Sequence, residues 1–207
     1  MISFFSLHIS GGRYMSTTQP IRNRTELKRF TEYYKKNDPN LRNNALICVG
    51  LNSALRISDE LSLKWKDIYN FNTHELKEHL TIIETKTGKE RSIYINYAMR
   101  RALLILFNKT KPSADEYVFS SAKNPEVPLS RVHAYRIIKK AAEATLTDPS
   151  HISCHSLRKT FGYHAYKQGV NLALITEIFN HSSYVITKHY IGIDQDELDM
   201  VYSNFKY

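Results

Sequence analysis

Two β-rich runs, Leu80–Thr85 and Arg91–Ile95, flank the tetrapeptide Lys86-Thr87-Gly88-Lys89. Branched residues on both sides of a glycine-bearing turn are the signature of a hairpin. Elsewhere the apolar residues recur at helical spacing. Thr25–Lys36 puts Leu27, Phe30 and Tyr34 on one face, and Asp38-Pro39-Asn40 breaks it. Leu41–Leu51 is more apolar and reads as a buried helix; Ser58–Trp65 reads as the next, left at Lys66-Asp67-Ile68. Ala98–Asn108 and the basic Ser130–Ala144 follow, with a short strand at Tyr117-Val118-Phe119 between them. Ser156–Gln168 ends at Gly169, and Leu172–Phe179 leads into a serine-rich turn. Asp194 and Glu197 make a capping box for a last helix, Gln195–Asn204. One hairpin among these helices predicts an α+β fold, mainly helical, with a small antiparallel sheet.

The chain has 207 residues and is 42% hydrophobic, enough for the core of one domain or a small pair. Lysine and arginine number 29 against 20 acidic residues, a formal charge of +9. Such a surplus favours a polyanionic partner, because each phosphate contact releases condensed counterions. Only Cys48 and Cys154 are present, which is no disulfide framework and fits a reducing, cytoplasmic setting. No apolar run reaches the roughly 18 residues of a membrane helix. Residues 1–24 read as a disordered or loosely attached N-terminal segment, with residues 25–207 as the folded domain. Met1–Ile9 is short and free of basic residues, a poor signal peptide. Met15 follows Gly11-Gly12-Arg13-Tyr14, whose glycine codons can encode a ribosome-binding site, so translation is expected to start at Met15. Intact mass of natively expressed protein retaining Met1 would exclude that start.

Six polar residues stand out for their chemistry: Arg56, Lys86, His155, Arg158, His181 and Tyr190. Together they supply cations for a phosphate, proton carriers and a hydroxyl nucleophile. A guanidinium offers a rigid fork of donors matched to phosphate oxygens and stays charged at any working pH. Two of them, Arg56 and Arg158, can stabilise the charge that builds on non-bridging oxygens during attack. Asp59, three residues beyond Arg56, shares its helix face and can orient it. His155 and Arg158, also three apart, can meet one phosphate together. Lys86 in a hairpin turn can reach into a groove. His181 and Tyr190 are nine residues apart, so one continuous helix would set them on opposite faces. Both reach one site only if the chain turns between them, and Ser182 and Ser183 are suitable caps for a fresh helix. A phenol ionises near pH 10, so Tyr190 needs neighbouring cations and a base.

Competing chemistries are poorly served. His151, Cys154, His155 and His164 match no standard zinc spacing, so no metal is expected. There is no P-loop and no dinucleotide glycine fingerprint, so no cofactor is expected. On the basic helix, Arg131, Arg136 and Lys140 are candidate DNA contacts, though a solvated helix face explains them as well. On the last predicted helix Leu198, Val201, Tyr202 and Phe205 fall on one stripe.

The order and local spacing of Ala54-Leu55-Arg56-Ile57-Ser58-Asp59, Thr85-Lys86-Thr87-Gly88-Lys89, His155-Ser156-Leu157-Arg158, His181-Ser182-Ser183 and Tyr190 resemble the tyrosine recombinase (phage-type integrase) family, over roughly Glu26 to Phe205. The resemblance implies that family's catalytic-domain fold and a site-specific DNA recombinase acting through a 3′-phosphotyrosine intermediate, without metal or ATP. It implies Tyr190 as nucleophile rather than Tyr184 or Tyr202, Lys86 as general acid, and Asp59 as the support of Arg56. Lys89 and Arg91 then read as neighbouring phosphate contacts. The implied partners are double-stranded DNA, further copies in a tetramer on paired sites, and accessory DNA-bending proteins, with no membrane. The last helix then packs in cis or docks on a neighbouring protomer. Three residues depart from the family pattern: Ala54 and Asn180 stand where glycine is usual, and Lys159 where histidine is frequent. Many relatives carry a further DNA-clamping domain before the catalytic one, and the chain is similar in length to the short fimbrial phase-switch recombinases. The alternative is a DNA-binding regulator that kept the fold and does not cut; the presence of all six groups argues against it.

Overall fold

The computed structural model describes residues 9–10, 13–14, 18–86, 88–193 and 202–204. Its elements run β1 (Ile9–Ser10), β2 (Arg13–Tyr14), α1 (Arg24–Lys36), α2 (Leu41–Ser53), α3 (Ile57–Leu61), α4 (Trp65–Ile68), β3 (Tyr69–Asn70), β4 (Glu75–Leu76), β5 (His79–Ile83), β6 (Glu90–Tyr94), α5 (Tyr97–Thr110), α6 (Arg131–Thr145), α7 (Cys154–Lys167), α8 (Leu172–Ile178) and α9 (Tyr184–Ile191). The helices start where the sequence supplies a cap. Asn23, Asn40, Asn96, Ser130, Ser153, Asn171 and Ser183 each accept a backbone N–H of the first turn through the side chain, a contribution of about 1 kcal/mol each.

The most buried helix is α2, with Ala45, Leu46, Ile47 and Val49 all at most 2% exposed. It packs against α1, α3, α5 and α7, and its apolar residues join the main core. A second, smaller core gathers Ala54, Ile175, Phe179, Ile191 and Ile193. This cluster clamps α7, α8 and α9 together. Gly162 in α7 permits it, because a Cβ there would come within 2.5 Å of Phe179 and 2.7 Å of Ile191. Burying each of Phe179, Ile175 and Ile191 contributes about 1.5–3 kcal/mol.

The predicted hairpin forms from β5 and β6, antiparallel, with Leu80 opposite Ile93 and Ile82 opposite Arg91. Its turn is wider than a tight two-residue loop. Glu84 N–H reaches Lys89 O at 2.9 Å, and Gly88 N–H reaches Glu84 O at 2.8 Å, with Gly88 at φ +67°. A second hairpin, β3–β4, pairs Tyr69 with Leu76 and Asn70 with Glu75. It was not expected; Asn70 Oδ1 accepts the Asn72 and Thr73 amides and His74 takes φ +56°.

Three expectations change. Ser58–Trp65 is not one helix: it breaks after α3, and Lys64 bridges to Tyr117 before α4 begins. The segment expected as a strand at Tyr117–Phe119 is no regular strand: it makes that bridge and single backbone bonds, Val118 N–H to Leu63 O, Tyr117 N–H to Pro125 O and Leu129 N–H to Phe119 O. Thr18–Asn23, part of the segment read as loosely attached, lies against the domain instead. Ile21 is 3% exposed and its N–H bonds Thr160 Oγ1, while Gln19 N–H bonds His151 O. A buried isoleucine and two satisfied amides hold this strap down. Of the predicted helix Gln195–Asn204, residues 202–204 are helical and the rest lies outside the described residues. No described helix is long and apolar enough to cross a membrane.

Candidate active site

Arg56 caps α3 from an extended backbone (φ −73°, ψ 146°) just after Ala54 has turned the chain out of α2 at φ +56°. Glycine would adopt that left-handed turn freely; alanine does so at a cost of about 1–2 kcal/mol. The Arg56 Nη1 lies 3.0 Å from Glu84 Oε2 and 3.9 Å from Asp59 Oδ2. Its N–H bonds point squarely at neither, so Nη1 is charge-paired without an aligned hydrogen bond. Asp59 is 1% exposed, and its Oδ1 accepts the Thr85 N–H at 3.0 Å. That bond ties the start of α3 to the hairpin turn carrying Lys86. Lys86 is exposed at the turn, and its charge acts on His181.

Ser153 opens α7 with a capping box: its Oγ takes the His155 N–H and its own N–H reaches Ser156 Oγ. One turn further in, Arg158 is 3% exposed. Its guanidinium donates to Ala54 O and, at 2.7 Å, to Phe179 O, and lies 4.5 Å above the Phe179 ring. Burial pushes its pKa down to about 10, still charged at neutral pH. Tyr190, Arg56, Arg91 and Glu84 all lie within its electrostatic reach. His155 has a solvent-exposed edge. Even so, partial desolvation, followed by the cations Lys159, Arg158, Arg131 and Arg56, lowers its pKa. It is therefore neutral near pH 7, the form that accepts a proton.

Asn180 adopts φ +49° before His181, as its side-chain type permits. The chain then turns and α9 begins afresh at the Ser183 cap, so His181 and Tyr190 do face each other, with ring centroids 5.1 Å apart, edge to face. His181 Nδ1 sits 3.0 Å from the hydroxyl of Thr187, which is fully buried. When Thr187 donates to Nδ1, the ring hydrogen resides on Nε2, where it can bond a phosphate oxygen. Burial, then Arg158, Arg56 and Lys86, push the His181 pKa down to about 4. Tyr190 is packed between Phe179 (5.4 Å) and His181, with the Lys159 ammonium 4.9 Å over its ring. Burial raises its pKa, while Arg158 and Arg56 pull the other way. Tyr184 and Tyr202 are 63% and 79% exposed.

Five of the six predicted groups thus join one continuous network, and His155 lies at its edge within reach of both arginines. The predicted DNA contacts divide. Arg131 opens α6 exposed and acts on His155; Arg136 is exposed further along the helix. Lys140 lies about 13 Å beyond Arg131 along the axis, with Nζ held by Asp38 at 2.7 Å. Lys89 Nζ bonds Asn180 Oδ1 at 3.3 Å beside the site. Arg91 turns inward beside the site, with Nη1 2.9 Å from Glu84 Oε1. Sequence reasoning missed Glu84, Thr187 and the placement of Lys159. Glu84 had a signal, since it continues the inward alternation of Leu80 and Ile82. Among the described residues no cluster of histidine, cysteine and carboxylate is arranged to hold a metal.

The Phage integrase family pattern matches residues 23–197. The chain is 40% identical over 192 residues to the probable integrase/recombinase YoeC of Bacillus subtilis, covering 92% of this chain and 98% of that protein. It is 30% identical over 202 residues to the tyrosine recombinase XerD of Rickettsia bellii, covering 93% of this chain and 66% of that protein. In fold it is similar to the crystal structure of the XerH site-specific recombinase bound to a palindromic difH substrate after cleavage. The TM-score is 0.72 at 22% identity, over 94% of this chain and 54% of that one. It is also similar to XerA recombinase, with a TM-score of 0.71 at 20% identity, over 92% and 68%. On its sequence and its fold, the chain belongs to the phage integrase family.

Proposed function

We propose that the protein is a site-specific DNA recombinase that cuts and rejoins strands through Tyr190. The observation that carries this reading is the packing of the Tyr190 ring against His181 within electrostatic reach of the buried Arg158 and the half-buried Arg56. In the cutting step the Tyr190 oxygen attacks the phosphorus and the bond to the 5′ oxygen breaks. Arg56, Arg158 and the His181 Nε2–H bind the non-bridging oxygens, whose charge grows in the transition state. His155 accepts the phenol proton, and Lys86 returns one to the departing 5′ oxygen. The 3′-phosphotyrosine ester conserves the bond energy, so another 5′ hydroxyl can attack it, displace Tyr190 and join a different strand. No metal or nucleotide enters this balance. Asp59 holds Arg56 and the hairpin turn together.

Double-stranded DNA is the partner, met by Lys89, Arg131 and Arg136 around the site. Recombination of two duplexes calls for four active sites, so a tetramer on paired sites is part of the proposal, aided by accessory DNA-bending proteins, in the cytoplasm. The test is a nicked suicide DNA from which the short fragment bearing the freed 5′ hydroxyl diffuses away. Wild-type protein should accumulate a covalent adduct and Tyr190→Phe none. DNA binding with no adduct from wild type on any nicked site would favour a non-cutting regulator.

A further inference from the structure

We infer that Glu84 is a positioning residue for strand cleavage: its buried carboxylate fixes the guanidiniums of Arg56 and Arg91 side by side at the reacting phosphate. The inference rests on the recombinase reading above. Glu84 is 0% exposed. Its Oε1 accepts from Arg91 Nη1 at 2.9 Å, and its Oε2 lies 3.0 Å from Arg56 Nη1 and accepts from Asn180 Nδ2 at 3.2 Å. One carboxylate therefore joins three separate parts of the chain: the start of α3, strand β6 and the turn that presents His181. It also follows directly on β5, two residues before Lys86.

Two guanidiniums brought together repel, and a buried carboxylate between them offsets that repulsion. The same carboxylate works against affinity, because its negative charge opposes an incoming phosphate. These two effects have opposite signs in experiment. A group that only stabilises the fold would, when removed, weaken binding and cleavage together. A group that orients the arginines at an electrostatic cost to binding should, when neutralised, slow cleavage while binding stays the same or tightens.

Glu84→Gln keeps the side-chain length and an acceptor oxygen and removes the charge. At saturating nicked DNA, single-turnover adduct formation should fall about 100-fold, the scale of a misplaced catalytic group. The Kd measured on the same DNA should be unchanged or several-fold lower. A cleavage rate within twofold of wild type overturns the inference, and so does a loss of cleavage matched by an equal loss of affinity. If Glu84→Gln does not fold, Asn180→Gly decides: it suits φ +49° and removes the donor to Oε2. A drop of about fivefold in rate at unchanged Kd is expected, and an unchanged rate overturns the inference. Wild-type protein that binds nicked DNA without forming any adduct would sink the recombinase reading and this inference with it. Active wild type with unaltered variant kinetics sinks this inference alone.

Discussion

Glu60 and Asp59 are adjacent acids in α3, yet they sit in opposite situations, and one substitution separates them. Glu60 is 1% exposed, with Oε2 against Gly50 and Leu157 nearby. Its Oε1 has no hydrogen-bond partner. Burial drives its pKa well above the ordinary carboxylate value, with a Gly50 backbone bond opposing weakly. In the unfolded chain the same group ionises near pH 4.5. A folded-state pKa above the unfolded one means that stability is fully present below about pH 4.5 and is lost as pH rises toward the folded value. Glu60→Leu keeps the volume, removes the orphan oxygen and abolishes that pH dependence. Relief of one buried unsatisfied acceptor is worth about 1–3 kcal/mol. For a chain of this size about 2 kcal/mol corresponds to a Tm rise of about 4–8 °C. Thermal melts of wild type and Glu60→Leu from pH 5 to pH 8 make the comparison. The variant should melt higher at pH 7.5, the gap should narrow toward pH 5, and adduct formation should match wild type. A variant that melts at or below wild type at pH 7.5, or a gap independent of pH, refutes the reasoning.

Three more outcomes are expected. Thr187→Val, which removes the hydroxyl at His181 Nδ1, should slow single-turnover cleavage about tenfold with little change in Kd, and Thr187→Ser should restore most of the rate. The His155 pKa is lowered, so adduct formation should be flat between pH 7 and 8 and decline as acid protonates the ring; His155→Gln should be slow and lack that acidic limb. In DNA-binding titrations, Lys89→Ala and Arg131→Ala should each reduce the log–log salt slope by about 0.9, whereas Lys140→Ala, whose partner is Asp38, should leave it unchanged.

What was legible in the sequence follows from what is local. Helical spacing and chain breakers located α1, α2, α5, α6, α7 and α8 to within a few residues, and the glycine-bearing turn located β5–β6. The Ser183 cap foretold the turn that lets His181 meet Tyr190. The misses are tertiary. The break at Lys64 is set by a bridge to Tyr117, 53 positions on, and the Thr18–Asn23 strap by partners on α7 and beyond. The sharing of Glu84 by Arg91 and Arg56 was not legible, because Glu84 lies across the hairpin turn from one and far along the chain from the other. Lys159 also took its place through the fold. Its ammonium bonds Thr18 O at 2.7 Å while covering the Tyr190 ring, and burial, then Arg22, push its pKa down to about 8.

The central claim is that one phenol, held by the small core around Phe179, becomes bonded to DNA. Trypsin digestion of the trapped adduct, nuclease trimming and tandem mass spectrometry read that bond directly. The peptide His189–Lys206 contains both Tyr190 and Tyr202. A 3′-linked nucleotide remnant on Tyr190 is the predicted result; the remnant on Tyr202, on Tyr184, or on any serine contradicts the account.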